Sequence, residues 1–202
     1  MLTKIDELIR PDHYYLDGED ECYFIGEYTA GRGFSYSSTN QFIYNLKKSV
    51  ERRGLTDWVW KERAIQQGAS VLRESVNPPF LESATFVPVP PSRIVSDPLY
   101  DDRMARVLRS LSPDVDVREL VIQSEGMHDA HSSQSRPGPN ILYQNYEIDE
   151  SLIEPIPSSI AVVDDVLTTG AHFKAMKRIL QEALSEVQVV GLFLARRIPN
   201  TE

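Results

Sequence analysis

The chain has 202 residues and a formal net charge of −9, with 41% hydrophobic and 25% charged residues. This length suits one α/β domain, and the composition excludes a wholly disordered chain. The acidic charge argues against nucleic acid and membranes as partners, because both need a basic protein surface that neutralises phosphates. No apolar run approaches the roughly 18 residues of a membrane-spanning helix, and the first residues lack the apolar centre of a signal peptide. A cytoplasmic protein is predicted.

The first 80 residues are predicted to hold one strand and two helices. Residues 1–20 are acidic and are expected to wrap the domain loosely, and no function is assigned to them. The segment CYFIGEY, which begins at Cys22, is aromatic and β-branched and predicts a strand. Cys22 is the only cysteine, so it excludes an internal disulfide and is interpreted as a small strand residue. A capping-box pattern predicts a helix over residues 38–53, and a second helix is predicted over 57–75.

The middle of the chain continues with strands, a helix and a long irregular segment. Residues 85–89 predict a strand, 90–98 a proline-rich loop and 99–111 a helix. The segment DVRELVIQ predicts a further strand. Residues 124–139 have no periodicity and far exceed the usual four to six residues of a connection. Such loops are usually lids or disordered linkers, and because this one lies inside the domain, it is interpreted as a lid that covers a ligand site.

The segment SSIAVVDDVLTTGAHFKAMKRIL predicts a strand, a turn and a helix. Residues 160–163 are β-branched and apolar, as in a buried parallel strand, and residues 173–184 have helical spacing. The turn is therefore placed at residues 164–170. Ligands bind at the carboxyl ends of strands in open α/β sheets, and helix amino ends favour anions, so this turn is a candidate ligand site. A last buried strand is predicted from VQVVGLFLA.

The turn has the side chains that a sugar phosphate requires. Thr168, Thr169 and Gly170 would present hydroxyls and backbone N–H groups to a phosphate. Asp164 and Asp165 could accept hydrogen bonds from two vicinal hydroxyls, or lie in the outer shell of Mg²⁺ carried by the ligand. The plainer alternative is that the aspartates are solvated turn residues and that Thr169 caps the helix.

The stretch AVVDDVLTTGAH resembles the signature of the type I phosphoribosyltransferases. That resemblance implies that the motif binds phosphoribosyl pyrophosphate, with Asp164 and Asp165 as the catalytic residues that hold the ribose hydroxyls. It implies that the segment from Thr168 to Ala171 binds the 5-phosphate. The substrate-binding residues implied in this motif are Val166, Leu167, Thr168, Thr169, Gly170, Ala171 and His172. His172 replaces the small residue or threonine usual in the family, and it is expected either to bond the phosphate or to crowd it.

Other segments resemble the ComF-like branch of that family. FVPVPPSR is similar to its strand and pyrophosphate loop, EYTAGRGFSYSSTNQFIYNLKKS to its first strand and lysine-ended helix, and RPGPN to its spaced arginine and asparagine. The similarity extends over about residues 22–195. It implies further substrate contacts from Pro91, Ser92, Arg93 and Arg136. The chain lacks the amino-terminal zinc ribbon and the dense arginines of that branch, and it offers Arg103 and Arg106 later instead.

The single residues outside the main motif keep alternative interpretations. Arg93 is as well explained by an exposed charge as by a pyrophosphate contact. His128 and His131 are interpreted as solvated, and their spacing makes only a weak metal signature. Arg136 is also explained by a turn. No metal-ligating residues are assigned.

The two adjacent aspartates carry a separate expectation. Neighbouring side chains on an extended segment point to opposite sides, so Asp164 and Asp165 are expected to divide their roles. Their mutual repulsion is expected to cost stability, and the ligand rather than the fold is expected to require them. Replacing both by asparagine should then leave the fold at least as stable.

The predicted architecture is a single α/β domain over residues 1–202, with a mostly parallel sheet and helices on both faces. A small hood is expected from about residues 21–80 together with the long loop, and a core from residues 84–195. The expected function is phosphoribosyl transfer from phosphoribosyl pyrophosphate to a nitrogenous acceptor, with Mg²⁺ as cofactor and release of pyrophosphate. The alternative is a noncatalytic sensor of phosphoribosyl pyrophosphate or a nucleotide. A DNA-uptake role would rest on family analogy alone, and the acceptor and a homodimer are left open.

Overall fold

A six-stranded sheet lies at the centre of the structure, a computed structural model that describes residues 1–124 and 137–199. Its strands, in spatial order, are β1 (Thr3–Lys4), β2 (Cys22–Thr29), β8 (Gln188–Ile198), β7 (Ser159–Leu167), β3 (Thr85–Pro88) and β4 (Asp116–Val117). β1 pairs antiparallel with β2, and the other neighbouring strands pair in parallel. A separate antiparallel pair joins β5 (Val121–Gln123) to β6 (Tyr146–Ile148). The predicted α/β class with a mostly parallel sheet is confirmed.

Helices cover both faces of the large sheet. They are α1 (Ser38–Leu46), α2 (Val59–Ser75), α3 (Pro78–Ser83), α4 (Arg103–Arg109), α5 (Pro139–Gln144) and α6 (Ala171–Ala183). Short 3₁₀ helices span Arg10–His13, Val50–Arg52, Thr56–Trp58 and Glu150–Leu152. Successive side chains of β7 point to opposite faces, so Ile160 and Val162 pack in the cluster with α6, and Ala161 and Val163 pack with α2 and α4. No helix in the described part of the chain has the length and apolarity needed to cross a bilayer.

The first long strand belongs to the main sheet. β2 forms a parallel ladder with β8 along its whole length, and its residues Cys22 and Phe24 are buried in the core. On the other face, Ile65 and Leu72 of α2 share a cluster with Leu194 of β8. The strand and the second helix that were assigned to the hood region of residues 21–80 are therefore parts of the main sheet and the core. Burying these apolar side chains requires the strand to pair and the helix to pack within the core.

Three predicted elements have different boundaries in the structure. α1 is capped by Ser37, whose hydroxyl accepts a hydrogen bond from the Asn40 amide at 3.0 Å, and it ends well before the predicted residue 53. α4 starts four residues later than predicted, after a turn in which Asp97 accepts the Leu99 amide. The segment DVRELVIQ is split between two sheets, and the Arg118 guanidinium between them donates to three backbone carbonyls.

The amino-terminal residues are anchored to the domain and do not wrap it loosely. Ile5, His13 and Leu16 are buried. Asp20 accepts hydrogen bonds from Lys174 at 2.9 Å and from Lys177 at 2.8 Å, both on α6. Buried apolar groups and paired charges together fix this segment against the last helix, close to the predicted ligand turn.

Candidate functional site

A cleft of about 1330 Å³ opens at the carboxyl ends of β3 and β7. It joins the loop after β3, the aspartates of β7, the turn before α6 and the residues that lead into α4. The predicted site residues that line it are Pro91, Ser92, Arg93, Asp164, Asp165, Val166, Thr168, Thr169, Ala171 and His172. Leu167 and Gly170 are buried and do not line it. Arg136, His128, His131 and most of the expected lid lie outside the described residues.

The two aspartates lie inside β7 and not in a turn. β7 continues to Leu167 in parallel register with β8, so the turn contains only Thr168, Thr169 and Gly170. Asp165 is buried, and its Oδ2 accepts hydrogen bonds from Arg103 Nε at 2.9 Å and Nη2 at 2.7 Å. These contacts explain how a strand can hold a charge inside the core.

Asp165 is held in its ionised form by two cations. Besides Arg103, Lys47 Nζ lies 3.0 Å from Asp165 Oδ1. Burial alone would raise the pKa of Asp165, but Arg103 and Lys47 outweigh burial and hold it below its usual range. Asp165 is therefore a compensated structural charge as well as part of the cleft wall.

A buried lysine extends this ion-pair network back to the first helix. Arg103 also contacts Asp101 at 2.8 Å, and Asp101 accepts a hydrogen bond from Lys61 at 2.8 Å. Lys61 is fully buried and donates to the carbonyls of Leu46 and Lys48, each at 2.9 Å. Lys47, which contacts Asp165, lies in the chain between those two carbonyls. The network thus closes into a ring that fixes the end of α1 against α4.

Asp164 has a different environment from its neighbour. It is partly buried, and its Oδ1 accepts a hydrogen bond from the Asp165 amide at 2.7 Å. Burial, with a smaller contribution from the Asp165 charge, raises the pKa of Asp164. The two carboxyls therefore have different environments: Asp165 is paired with cations of the fold, and Asp164 is partly exposed at the cleft wall.

His172 is oriented by a tyrosine that sequence reasoning missed. The Tyr146 hydroxyl and His172 Nδ1 are hydrogen bonded at 2.7 Å. Tyr146 is buried in β6, and burial together with the charge of Asp164 raises its pKa, so it stays protonated. Nothing in the sequence near either residue indicates this contact, because 26 positions separate them.

The amino-terminal segment makes two hydrogen bonds to the turn before α6. His13 Nδ1–H donates to the carbonyl of Thr168, and the Tyr15 amide donates to the carbonyl of Thr169 at 3.0 Å. Burial lowers the pKa of His13, which keeps its ring neutral. Gly170 is the amino-terminal cap of α6, in place of the alternative cap Thr169. These supports come from residues more than 150 positions away, so local sequence patterns give no signal for them.

Gly170 is expected to be the least replaceable residue of the turn. Its φ is +87°, and an added Cβ would lie 2.8 Å from two side-chain carbons of Leu16. Gly170→Ala should lower the free energy of unfolding by more than the roughly 1–2 kcal/mol of the left-handed backbone alone. The matched control is Gly54→Ala, with φ +85° and open space around the new Cβ. Urea unfolding of both variants tests this expectation, and equal losses would contradict it.

The cations of the cleft are already paired with carboxylates. Lys47 and Arg103 contact Asp165, and Arg93 Nη1 lies 2.8 Å from Asp97. Carboxyl groups outnumber cations along the cleft wall, and they are Glu51, Asp101, Asp102, Glu119, Asp149, Asp164 and Asp165. Within the described ranges, no group of three or more His, Cys, Asp or Glu is arranged to hold a metal ion. A highly charged anion would therefore need a cation of its own in this cleft.

Comparison with known proteins finds no matching family model and no matching curated protein. Any function must therefore rest on the geometry and chemistry of the cleft.

Proposed function

We propose that the cleft binds phosphoribosyl pyrophosphate and transfers its phosphoribosyl group to a nitrogenous acceptor, with release of pyrophosphate. The observation that supports this proposal is the convergence of three features on one cleft. These features are the hydroxyl-bearing turn before α6, the carboxyl of Asp164, and the loop of residues 90–96 after β3. Such convergence at adjacent carboxyl ends suits an elongated ligand with a phosphate at each end and a diol between them.

Each feature has a distinct role in the proposed complex. The Thr168 hydroxyl and the amino end of α6 favour the 5-phosphate, because the helix dipole and backbone N–H groups attract anions. Asp164 accepts hydrogen bonds from the ribose hydroxyls, while Asp165 keeps Arg103 and Lys47 in place. Arg93, in the loop after β3, is the residue proposed to contact the pyrophosphate.

The proposed reaction is a substitution at C1 of the ribose. The lone pair of the acceptor nitrogen forms the new bond to C1, the C1–oxygen bond breaks, and its electron pair leaves with pyrophosphate. The nitrogen then releases its proton. The chain's task is to position the two reactants and to exclude water.

Mg²⁺ fits the donor set as an ion that arrives with the ligand. It commonly binds one or two protein carboxylates together with substrate phosphates. Of the two β7 aspartates, Asp165 is the one whose oxygens lie against Lys47 and Arg103, which leaves Asp164 as the oxygen donor for the ion. When bound, it would supply neutralisation of pyrophosphate charge that the paired arginines do not provide.

Two single variants should separate the two ends of the ligand. Thr168→Val removes a hydroxyl from the 5-phosphate end and should weaken phosphoribosyl pyrophosphate and ribose 5-phosphate alike. Arg93→Gln should weaken phosphoribosyl pyrophosphate by about tenfold or more and leave ribose 5-phosphate nearly unchanged, because hydrogen bonds to charged groups contribute about 1.5–3 kcal/mol. Calorimetric titration with Mg²⁺ present measures both. No binding of phosphoribosyl pyrophosphate by the folded parent would overturn the proposal.

A noncatalytic sensor of phosphoribosyl pyrophosphate or a nucleotide is the second candidate. It is favoured by the pairing of Arg93 with Asp97, since an arginine already neutralised by a carboxylate stabilises departing pyrophosphate less well. Pyrophosphate release with a panel of bases and amines decides between the candidates. Turnover supports the transferase, and tight binding without turnover supports the sensor.

A further inference from the structure

The turn before α6 presents two successive carbonyl groups to the amino-terminal segment. His13 donates a hydrogen bond to the Thr168 carbonyl, and the Tyr15 amide donates one to the Thr169 carbonyl at 3.0 Å. Thr168 and Thr169 line the cleft, whereas residues 1–20 do not. The two carbonyls are therefore directed away from the cleft, toward the side of the turn that the amino-terminal segment covers.

The bond from His13 also fixes the direction of a backbone N–H group. The peptide bond between Thr168 and Thr169 is trans, and in a planar trans peptide the C=O and the N–H point in opposite directions. Because the Thr168 carbonyl is held on the side of His13, the Thr169 N–H is directed toward the cleft. This N–H donates to no residue in the ranges 1–124 and 137–199, which leaves it for an anion.

Packing alone does not explain a histidine at position 13. Its ring is fully buried, and Nδ1 carries the hydrogen because a carbonyl can only accept a hydrogen bond. The other ring nitrogen, Nε2, is buried and has no hydrogen-bond partner among the described residues. A buried polar group without a partner costs stability, so an apolar side chain would serve the core better. The bond to the turn is the feature that distinguishes the histidine from such a side chain.

Ion pairs on both sides of His13 anchor the segment that carries it. Asp12 lies 3.0 Å from Arg196 on β8, and Asp20 lies 2.9 Å from Lys174 on α6. The segment is thus tied to the sheet and to the helix that follows the turn. An anchored support of this kind holds a binding group in one direction before the ligand arrives.

We infer that His13 is a positioning residue, which holds the peptide between Thr168 and Thr169 so that the Thr169 N–H points at a phosphate group of the ligand. The identity of that group as the 5-phosphate of phosphoribosyl pyrophosphate rests on the proposed function. The direction of the N–H rests only on the hydrogen bonds of the turn. Without the histidine the peptide is free to rotate, and its carbonyl oxygen, which carries partial negative charge, would then face the anion.

The experiment titrates inorganic phosphate into the isotope-labelled full chain and follows the amide resonance of Thr169 by NMR. In the parent this resonance should shift and saturate with phosphate. His13→Asn and His13→Gln form a matched pair, because the asparagine amide nitrogen takes the place of Nδ1 and the glutamine amide nitrogen lies one bond further out. His13→Gln should weaken phosphate about tenfold, as for one lost charge-assisted hydrogen bond, and His13→Asn should stay within about threefold of the parent.

A control variant separates positioning from general loosening of the segment. Ile5 is buried in the same segment, and its amide donates to Cys22 and not to the turn, so Ile5→Ala should lower stability and leave phosphate affinity unchanged. Circular dichroism checks that each variant folds, and His13→Leu, which also lacks the donor, replaces His13→Gln if that variant unfolds.

Three results would overturn the role of His13. They are an unshifted Thr169 amide in the parent, equal phosphate affinities of the donor-lacking variant and His13→Asn, and a loss of affinity in Ile5→Ala as large as in the donor-lacking variant. Phosphoribosyl pyrophosphate is titrated separately into the parent with Mg²⁺. Phosphate binding at the turn without binding of phosphoribosyl pyrophosphate would contradict the proposed function and leave the role of His13 intact.

Discussion

Replacing Arg103 with methionine is expected to lower the free energy of unfolding by about 3–5 kcal/mol, because it removes the main partner of the buried Asp165 carboxylate. The side chain of Asp165 is only 3% exposed and receives two hydrogen bonds from Arg103. Lys47 remains beside it, but that lysine is nearly half exposed and cannot replace two directed donors. Urea unfolding at neutral pH measures the loss.

The matched control for this variant is a surface ion pair. Arg178 contacts Glu182 at 2.9 Å with both side chains about half exposed, and its guanidinium lies 3.7 Å from the centroid of the Tyr143 ring, so Arg178→Met should cost no more than about 1 kcal/mol. Adding Asp165→Asn to Arg103→Met should recover part of the loss, since the stranded charge is then removed. A loss in Arg103→Met no larger than in Arg178→Met would contradict a structural role for the Asp165 charge.

This network corrects the expectation that a ligand alone requires both aspartates. The expectation is wrong for Asp165, which is bonded to Arg103 and Lys47 within the fold. Replacing both aspartates by asparagine would leave those two cations without their carboxylate. The double variant is therefore expected to be less stable than the parent, because the loss at Asp165 exceeds any relief of repulsion at Asp164.

The strand, turn and helix around the aspartates were predictable because each has a local pattern. The β-branched run at residues 160–163 predicts a buried parallel strand, and the spacing of residues 173–184 predicts a helix. The placement of the two aspartates in a turn was wrong, because adjacent charged residues indicate a turn unless a cation that pairs with them inside the fold is known. That partner, Arg103, is 62 positions away, so only the folded chain reveals why β7 continues through both charges.

The place of β2 in the sheet and the residues that support the site could not be predicted, for a related reason. Residues 22–29 correctly predict a strand, but periodicity does not say which sheet a strand joins. His13 and Tyr146 each reach the site through one contact to a distant residue. By contrast, the meeting of the loop after β3 with the end of β7 follows from a general property of parallel sheets, whose carboxyl ends share one edge.

We expect the free energy of unfolding of the parent to fall as the pH rises from about 4 to about 7. In Asp164→Asn this fall should be absent. Burial and the charge of Asp165 raise the pKa of Asp164 in the folded protein to about 7. In the unfolded chain an aspartate has a pKa of about 3.9. Between these values the folded protein retains a proton that the unfolded chain has released, so stability falls as the pH rises. Below this window both states are protonated and Asp164 costs nothing.

Asparagine is a suitable replacement because its side-chain oxygen can still accept the Asp165 amide, the hydrogen bond that Asp164 makes. The full pKa shift corresponds to roughly 4 kcal/mol, and partial exposure of Asp164 reduces the expected gain of the variant near pH 8 to about 2 kcal/mol. At about pH 4 parent and variant should be equally stable. Their difference is measured by urea unfolding across this range, with the exposed Asp114→Asn as control.

The neighbouring carboxyl provides a check on the sign of this effect. The pKa of Asp165 is lowered, so its contribution to stability is present above about pH 4 and is lost as the pH falls further. Asp165→Asn should therefore be less stable than the parent throughout pH 4–8, the range over which Asp164→Asn becomes more stable than the parent. If the two variants change in parallel, the carboxyls share one environment, and Asp164 is not the group left for a ligand. Stability changes of opposite sign near pH 8 would mean that adjacent aspartates on one strand serve different purposes, Asp165 the fold and Asp164 the cleft.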